Sequence, residues 1–194
     1  EGLSEDARGT MEATLAELER VQRTLGTLLQ IAQAEGRGRD VPTEPVDLAA
    51  LARELVELYR PEAATREITL EYRGVEAVVT RGNSQLLAQV LVNLIENAIK
   101  YVSAGGRIDV SVALEPDAIV LQVADNGPGI PAADRQRILQ PFVRLERDRE
   151  QVGSGLGLSL VAAVVRLHRG NIELLDNNPG LVVRCSLPKE STEA

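Results

Sequence analysis

The sequence has very few of the residues that build disulfides, zinc sites or aromatic clusters. Among 194 residues there is one cysteine, one histidine, one phenylalanine and no tryptophan. A single cysteine, Cys185, cannot form an internal disulfide, and with His168 alone it cannot complete a Cys/His zinc cluster. The lack of disulfides fits a reducing, cytoplasmic setting.

Long apolar runs and excess positive charge are missing as well. No apolar segment reaches membrane-spanning length, and no secretory signal pattern stands at the start. The formal net charge of −8 makes nucleic acid and anionic membranes poor partners for the chain as a whole. The content of 44% apolar and 26% charged residues is that of a globular protein. Because the chain starts at Glu1 instead of methionine, we expect a piece of a longer protein.

Residues 4–35 predict one long helix with an apolar seam. Leu18, Val21, Leu25 and Leu28 follow the 3-4-3 spacing that is typical of helices packed in a bundle. The alternative is a helix that packs on its own domain. A segment rich in glycine and charge follows, and it predicts a break or linker over residues 37–46.

The rest of the chain predicts an α+β fold, a two-layer sandwich of helices on mostly antiparallel strands. Asp47 is expected to cap a helix that runs to about Tyr59, with Leu48, Leu51, Leu55 and Leu58 on one face. Further helices are expected over 84–101, 132–139 and 156–168, and strands over 68–72, 75–79, 107–114, 118–124, 171–175 and 181–187.

The helix over residues 84–101 carries two asparagines on one face. Asn93 and Asn97 are one turn apart in an otherwise apolar helix, although asparagine is a mediocre helix former. Amide oxygens can ligate Mg²⁺, and Lys100, one turn after Asn97, could reach a phosphate. The alternative is a pair of core amides that are satisfied by neighbouring backbone.

The segment Asp125–Ile130, with the sequence DNGPGI, directly follows a predicted strand. Its two glycines let the backbone turn sharply and approach a ligand closely. A carboxylate at the strand end can accept a hydrogen bond from the amino group of an adenine. The alternative is a simple turn, because these residue types favour turns.

A second glycine-rich segment, Gly153–Leu158, opens the helix expected from residue 156. Glycines here free backbone N–H groups to face an anion at the positive end of the helix dipole. The segment is neither a P-loop nor a dinucleotide-binding fingerprint, because the lysine and the preceding strand are missing. Close packing is the alternative to phosphate binding.

The segment Pro141–Arg144 lies between the two glycine-rich segments and contains Phe142, the only phenylalanine. A phenylalanine that fills a core is the default expectation. Phe142 is nevertheless of interest because it lies between the two glycine-rich segments.

Together and in this order, the four segments resemble the N, G1, F and G2 boxes of histidine-kinase catalytic domains. The wider superfamily includes the Hsp90, DNA gyrase and MutL ATPases. The resemblance covers about residues 45–188, and residues 4–35 resemble the second helix of the family's dimerisation and phosphotransfer hairpin. It implies a partial dimerisation helix over 1–36, a linker over 37–46, an ATP-binding domain of the Bergerat-type fold over 47–188 and a tail over 189–194.

The resemblance also implies a role for each motif. Asn97 would ligate Mg²⁺, while Asn93, Lys100 and Tyr101 would line the phosphate side, with Asn93 and Lys100 as the candidate catalytic residues. Asp125 would bind the adenine amino group of ATP. The other candidates would shape the base pocket, form the base of a mobile lid over 144–152 or meet the phosphates: Gly127, Gly129, Ile130, Phe142, Arg144, Gly153, Ser154, Gly155, Leu156 and Gly157.

Some features depart from the family pattern. The helix with a His-Glu-Leu-Arg-Thr-Pro segment is missing, and His168 resembles a structural position at the end of the last helix. Asn83 stands where an acidic residue is common, and Gly180-Leu181 replaces the usual Gly-Thr.

The function implied is transfer of the ATP γ-phosphate to a histidine that this chain lacks, so the chain alone is expected not to phosphorylate itself. The implied partners are the missing helix or a full-length kinase, a second copy in an intact homodimer and a response-regulator receiver domain. The parent protein is expected in the inner membrane, with this domain in the cytoplasm. The alternatives are a self-contained ATPase of the same superfamily and an inactive module that binds nucleotide and signals by conformation.

Overall fold

The computed structural model describes residues 43–145 and 155–189, together with Met11, Gln22 and Gly26 as helical residues before them. The predictions for the N-terminal helix and its seam, most of the linker, residues 146–152 of the lid and the tail after Lys189 therefore lie outside the described residues. Within the described ranges, no helix combines the length and the apolar content that crossing a bilayer requires.

A five-stranded sheet forms one layer of the fold. Its strands are β2 (Thr69–Tyr72), β4 (Arg107–Leu114), β5 (Ala118–Asp125), β6 (Asn171–Asp176) and β7 (Leu181–Pro188), in the order β2-β4-β5-β7-β6. β2 pairs with β4 in parallel, and the other neighbours are antiparallel. A separate ribbon joins β1 (Glu44–Asp47) to β3 (Val79–Gly82).

Three helices form the second layer: α1 (Leu48–Thr65), α2 (Ser84–Tyr101) and α3 (Gly157–Leu167). Because side chains alternate along a strand, every second residue of the central strands joins the core under these helices. This row comprises Ile108, Val110 and Val112 of β4, Ile119, Leu121 and Val123 of β5, and Val183, Cys185 and Leu187 of β7. The predicted α+β two-layer sandwich is confirmed.

Side-chain caps fix where the first two helices begin. The Asp47 carboxylate accepts from the N–H groups of Ala49 and Ala50 at 3.1 Å each, as expected. The bond from Ala50 is the main reason why the pKa of Asp47 lies below its ordinary value. Asn83 caps α2 by accepting from Leu86 N–H at 3.0 Å, so this departure from the acidic pattern keeps a capping side chain.

Several element bounds differ from the prediction. The strand expected over 75–79 runs Val79–Gly82, because it pairs with β1, whose first three residues were placed in the linker. α1 continues past Tyr59 to Thr65, and its buried face passes through Val56 and Ala63, which leaves Leu58 68% exposed. In place of one helix over 132–139 there are two short 3₁₀ turns, Ala132–Asp134 and Arg137–Leu139.

Candidate functional site

A cleft of about 1080 Å³, open to solvent, lies between α2, the start of α3 and the adjoining ends of β5 and β7. The fold thus gathers motifs that are far apart in sequence onto one cavity. Ten of the predicted site residues line it: Asn93, Asn97, Lys100, Tyr101, Asp125, Gly129, Ile130, Arg144, Gly155 and Gly157.

The two asparagines of α2 converge on the first residue of α3. A Cβ placed on Gly157 would lie 3.2 Å from Asn93 Oδ1 and 3.3 Å from Asn97 Nδ2. Both contacts are tighter than ordinary van der Waals packing, so the absence of a side chain at Gly157 lets the helix start approach both amides. The two side-chain amides and the positive end of a helix dipole therefore face the same part of the cleft.

Asn93 is partly a structural residue. It is buried, and its Nδ2 donates to Gln89 O, one turn earlier in α2, at 2.8 Å. This bond fixes the amide and directs Oδ1 toward Gly157. The alternative of a satisfied core amide thus holds for the nitrogen of Asn93, while its oxygen borders the cleft.

The end of α2 carries the cation of this region. Lys100 Nζ lies 5.0 Å from the ring centroid of Tyr101, which is within the range of a cation–π contact. Both residues line the cleft, as does Asn97 one turn earlier in α2. The arrangement places a positive charge and oxygen ligands where a polyphosphate would meet them.

Asp125 is the buried carboxylate of the cleft. As the last residue of β5 it pairs with Ile108 of β4 and Leu181 of β7, on the face covered by the helices. It is 8% exposed, and burial raises the pKa of its carboxyl, opposed by hydrogen bonds from the N–H groups of Gly127 and Leu181. The bond from Gly127 N–H to Oδ1 is 2.8 Å long. A hydrogen-bonding carboxylate is thus available in an otherwise apolar wall.

Tight backbone contacts surround Asp125. A Cβ on Gly180, where φ is +121°, would lie 1.7 Å from Asp125 O, which no side chain can satisfy. A Cβ on Gly129 would lie 2.6 Å from Gly180 O. The loop after β5 and the turn between β6 and β7 therefore pack tightly against each other beside the cleft.

Three described candidates do not line the cleft. Gly127 lies beside it, with its Cβ position 2.9 Å from Asp125 Oδ1. Leu156 is buried in the interior, and Phe142 is 70% exposed instead of filling a core. The backbone of Phe142 has φ +64°. Its N–H donates to Gly155 O at 3.1 Å, and this bond joins the two ends of the segment 142–155. Gly153 and Ser154 lie outside the described residues.

Sequence reasoning missed the apolar lining of the cleft. These residues are Leu94, Ala98, Val123, Pro128, Ile138, Val143, Leu145, Leu158, Leu181 and Val183. Val123 could have been identified from the sequence, because it lies two residues before Asp125 and so on the same face of the strand. Leu94 and Ala98 could also have been identified, because they directly follow Asn93 and Asn97 in the helix. Leu181 and Val183 become visible only once the register of β7 against β5 is known.

The donor set suits a magnesium ion that is shared with a ligand. The described residues contain no group of three or more His, Cys, Asp or Glu side chains that could hold a metal alone. Asn97 offers an amide oxygen in the cleft, and Mg²⁺ ordinarily keeps waters and phosphate oxygens as its other ligands. The site therefore fits a metal that arrives with a polyphosphate.

The only histidine of the chain has a structural position away from the cleft. His168 Nε2 accepts from Asn83 N–H at 3.0 Å, and Nδ1 donates to Val164 O at 2.8 Å. These bonds join the end of α3 to the start of α2. The structural role that the sequence analysis gave His168 agrees with this geometry.

Comparison with known proteins gives one consistent family. The model for histidine kinase-, DNA gyrase B- and HSP90-like ATPases matches residues 82–191. The sensor protein CutS of Streptomyces coelicolor is 37% identical over 179 residues, which cover 90% of this chain and 42% of CutS. The chain thus spans about two fifths of the length of the curated relatives it matches.

One solved structure supports the same assignment, and a second shows the same fold. The mycobacterial sensor histidine kinase MprB matches with a TM-score of 0.67 and 29% identity, over 76% of this chain and 97% of that chain. The histidine kinase ThkA, in complex with response regulator protein TrrA, matches with a TM-score of 0.77 over 100% of this chain and 55% of that chain, and its 21% identity shows the fold alone. The chain belongs to the histidine kinase-, DNA gyrase B- and HSP90-like ATPases, as an ATP-binding catalytic domain of the sensor histidine kinase type.

Proposed function

We propose that this domain binds ATP together with Mg²⁺ and donates the γ-phosphate to a histidine outside these 194 residues. The observation that carries the proposal is the convergence of Asn93 and Asn97 on the start of α3, in the same cleft that buried Asp125 lines. The helices offer amide ligands and positive charge, and the end of β5 offers a single carboxylate. This polarity matches a nucleotide, which has a triphosphate at one end and a base with an amino group at the other.

The nucleotide lies with its base toward Asp125 and its phosphates toward α2 and α3. The carboxylate accepts a hydrogen bond from the exocyclic amino group of adenine, and the apolar lining covers the ring faces. Asn97 would supply a protein ligand to Mg²⁺, which would neutralise charge on the phosphate oxygens when bound. Lys100 and the helix dipole of α3 add positive charge at the same end.

Transfer needs positioning more than side-chain chemistry. The bond between the γ-phosphorus and the bridging oxygen breaks, a bond from an imidazole nitrogen to the γ-phosphorus forms, and ADP retains the bridging oxygen. Catalysis of this kind depends mainly on alignment and on charge stabilisation, which suits a site with few catalytic groups. The imidazole attacks through its unprotonated nitrogen, and the proton on its other ring nitrogen can leave to water. Asn93 and Lys100 therefore need only line the phosphate side and position the phosphates.

His168 is not the acceptor in this proposal. Nδ1 donates its proton to a backbone oxygen and the lone pair of Nε2 accepts from a backbone N–H, so no lone pair is free to attack a phosphate. It also follows the last of the 11 residues of α3, which at about 1.5 Å per residue is more than 15 Å along the axis from the cleft. In-line attack requires reacting atoms within about 3.5 Å.

A self-contained ATPase is the weaker candidate. Such an enzyme needs a base that takes a proton from water, and an amide such as Asn93 cannot do so. Glu96, the nearest acid in α2, accepts from Tyr59 Oη at 2.9 Å, which orients it toward α1. Slow release of free phosphate would fit the kinase proposal, and rapid release would favour the ATPase.

The wider assembly belongs to the same proposal. ThkA was solved with the response regulator TrrA, and we propose a receiver domain as the next phosphate carrier here. We propose that the intact protein is a membrane-anchored homodimer with this domain on the cytoplasmic side. The helix predicted over residues 4–35 would contribute to its dimer interface.

The test measures nucleotide affinity by calorimetry with Mg²⁺ and with EDTA. Asn97→Ala should weaken Mg·ATP binding about tenfold, and the loss should shrink when EDTA removes the metal. Asn171→Ala, the same substitution at an exposed position at the start of β6, is the matched control. Equal loss with and without the metal would remove Asn97 from the magnesium site.

Transfer itself is tested with γ-labelled ATP. The chain alone should remain unlabelled, and a separate kinase hairpin that contains an acceptor histidine should become labelled when the chain is added. Acid-labile phosphate on the chain alone that disappears in His168→Ala would overturn the assignment of the acceptor.

A further inference from the structure

The turn between β6 and β7 contacts the base end of the cleft without lining it. Asn177 Nδ2 donates to the backbone oxygen of Asp125 at 2.8 Å, across 52 positions of sequence. A carbonyl oxygen can only accept, so the amide orientation is determined by its partner. The turn is closed by Asn177 N–H donating to Gly180 O at 3.3 Å.

This side-chain bond acts on the residue that carries the carboxylate. Asp125 is the last residue of β5, and its sheet partner Leu181 follows the turn directly. On the β4 side the pairing continues to Asn126, whose N–H donates to Arg107 O at 3.2 Å and whose Oδ1 accepts from Arg107 N–H at 2.7 Å. On the β7 side the ladder ends at Asp125, so the position of its backbone there depends on contacts from the turn. Asn177 supplies one such contact, and the backbone of Gly180 presses on the same carbonyl.

We infer that Asn177 is a positioning residue for recognition of the base: by holding the backbone oxygen of Asp125, it directs that carboxylate at the amino group of the nucleotide base. The inference rests on the proposed function, in which Asp125 accepts from that amino group. Hydrogen-bond strength falls steeply with misalignment, so a small rotation of the Asp125 backbone weakens the contact with the base. Contacts at the phosphate end are made by α2 and α3 and stay unchanged.

The experiment compares ATP with ITP, whose base lacks the amino group at the same ring position. In the full 194-residue chain, Asn177→Ala should weaken Mg·ATP binding about fivefold and leave Mg·ITP binding nearly unchanged. Asn177→Asp, which keeps the shape of the side chain and removes the donor, should give the same pattern. Asn178→Gly is the matched control, because it deletes the neighbouring amide and tolerates the φ of +44° found there.

A double-mutant cycle separates positioning from a general structural effect. If Asn177 acts through Asp125, then Asn177→Ala should have little further effect on ATP affinity in an Asp125→Ala background. Equal losses for ATP and ITP in a chain that remains folded by circular dichroism would overturn the inference.

The outcome also distinguishes this inference from the proposed function. If Asp125→Ala binds ATP and ITP as the unsubstituted chain does, the base site itself is misassigned. If Asp125→Ala loses the preference for ATP while Asn177→Ala and Asn177→Asp keep it, only the positioning role of Asn177 fails.

Discussion

The two ends of the cleft are built in different ways. At the base end, backbone segments meet so closely that Gly129 and Gly180 leave no room for a Cβ, and Asp125 is the one charged side chain in an apolar wall. At the phosphate end, α2 carries the amides of Asn93 and Asn97, which approach the start of α3, and the ammonium of Lys100. Under the proposed function, recognition of the base therefore depends on fixed backbone geometry, whereas recognition of the phosphates depends on side-chain charge and dipoles.

The most severe test of the rigid base end is Gly180→Ala. The new methyl group would overlap the oxygen of Asp125, and the φ of +121° is unsuited to any other residue. We expect a loss of about 3 kcal/mol or more in the free energy of unfolding, measured by urea denaturation. Gly105→Ala is the control, with φ +78° but open space around it, and it should cost about 1 kcal/mol. Equal losses would show that backbone conformation alone explains the effect.

The helices of the phosphate end are joined at their far ends by His168. His168→Ala removes both of its hydrogen bonds and leaves Asn83 N–H without this acceptor. The free energy of unfolding should fall by about 2 kcal/mol. Arg166→Ala, at an exposed position in the same turn of α3, should change it by less than about 0.5 kcal/mol. A stable His168→Ala protein would show that packing alone fixes the two helices.

Asp125→Asn should separate binding from stability. Burial raises the pKa of Asp125, so the folded state holds this proton to higher pH than the unfolded chain does. The stability that this carboxyl contributes is therefore complete at pH values below its pKa in the unfolded chain. It is lost as the pH rises through its pKa in the folded protein. At pH 7 the amide should leave the free energy of unfolding unchanged or raised, while ATP affinity falls about tenfold. If the free energy of unfolding and the ATP affinity fell together, Asp125 would have a structural role.

The smallest effect is expected from Arg144→Ala. Arg144 lines the cleft, and a charge near open solvent contributes modestly and is screened by salt. ATP affinity should fall about threefold at low ionic strength and less at high ionic strength. The loss caused by Asp125→Asn should change little with salt. If both losses have the same salt dependence, the contrast between the two ends does not hold.

This contrast also explains what the sequence could reveal. The asparagine spacing of α2, the aspartate at the end of β5 and the glycines before α3 are local patterns, and they predicted the residues on both sides of the cleft. Local patterns also predicted the bounds of the helix Ser84–Tyr101 and of the hairpin of β4 and β5 nearly to the residue. The two-layer sandwich was predicted from the same succession of helices and strands.

Features that depend on contacts between distant segments were not predictable. Leu58 has the spacing of a buried residue, but the packing of α1 rotates it into solvent. β3 is defined by its partner β1, which lay in the predicted linker. Asn177 and Gly180 form an ordinary turn sequence, and only the register of β5 and β7 brings them to Asp125.

The parallel pairing of β2 with β4 has a consequence for the order in which the domain folds. β4–β5 and β6–β7 each join consecutive strands and close as hairpins, whereas β2 must wait until β3 and α2 have been accommodated between it and β4. Closing such a loop costs chain entropy before the new contacts repay it, and the same holds for the longer segment between β5 and its partner β7. Since α2 lies within the first segment and the helix Gly157–Leu167 within the second, the cleft between these helices depends on both long-range pairings.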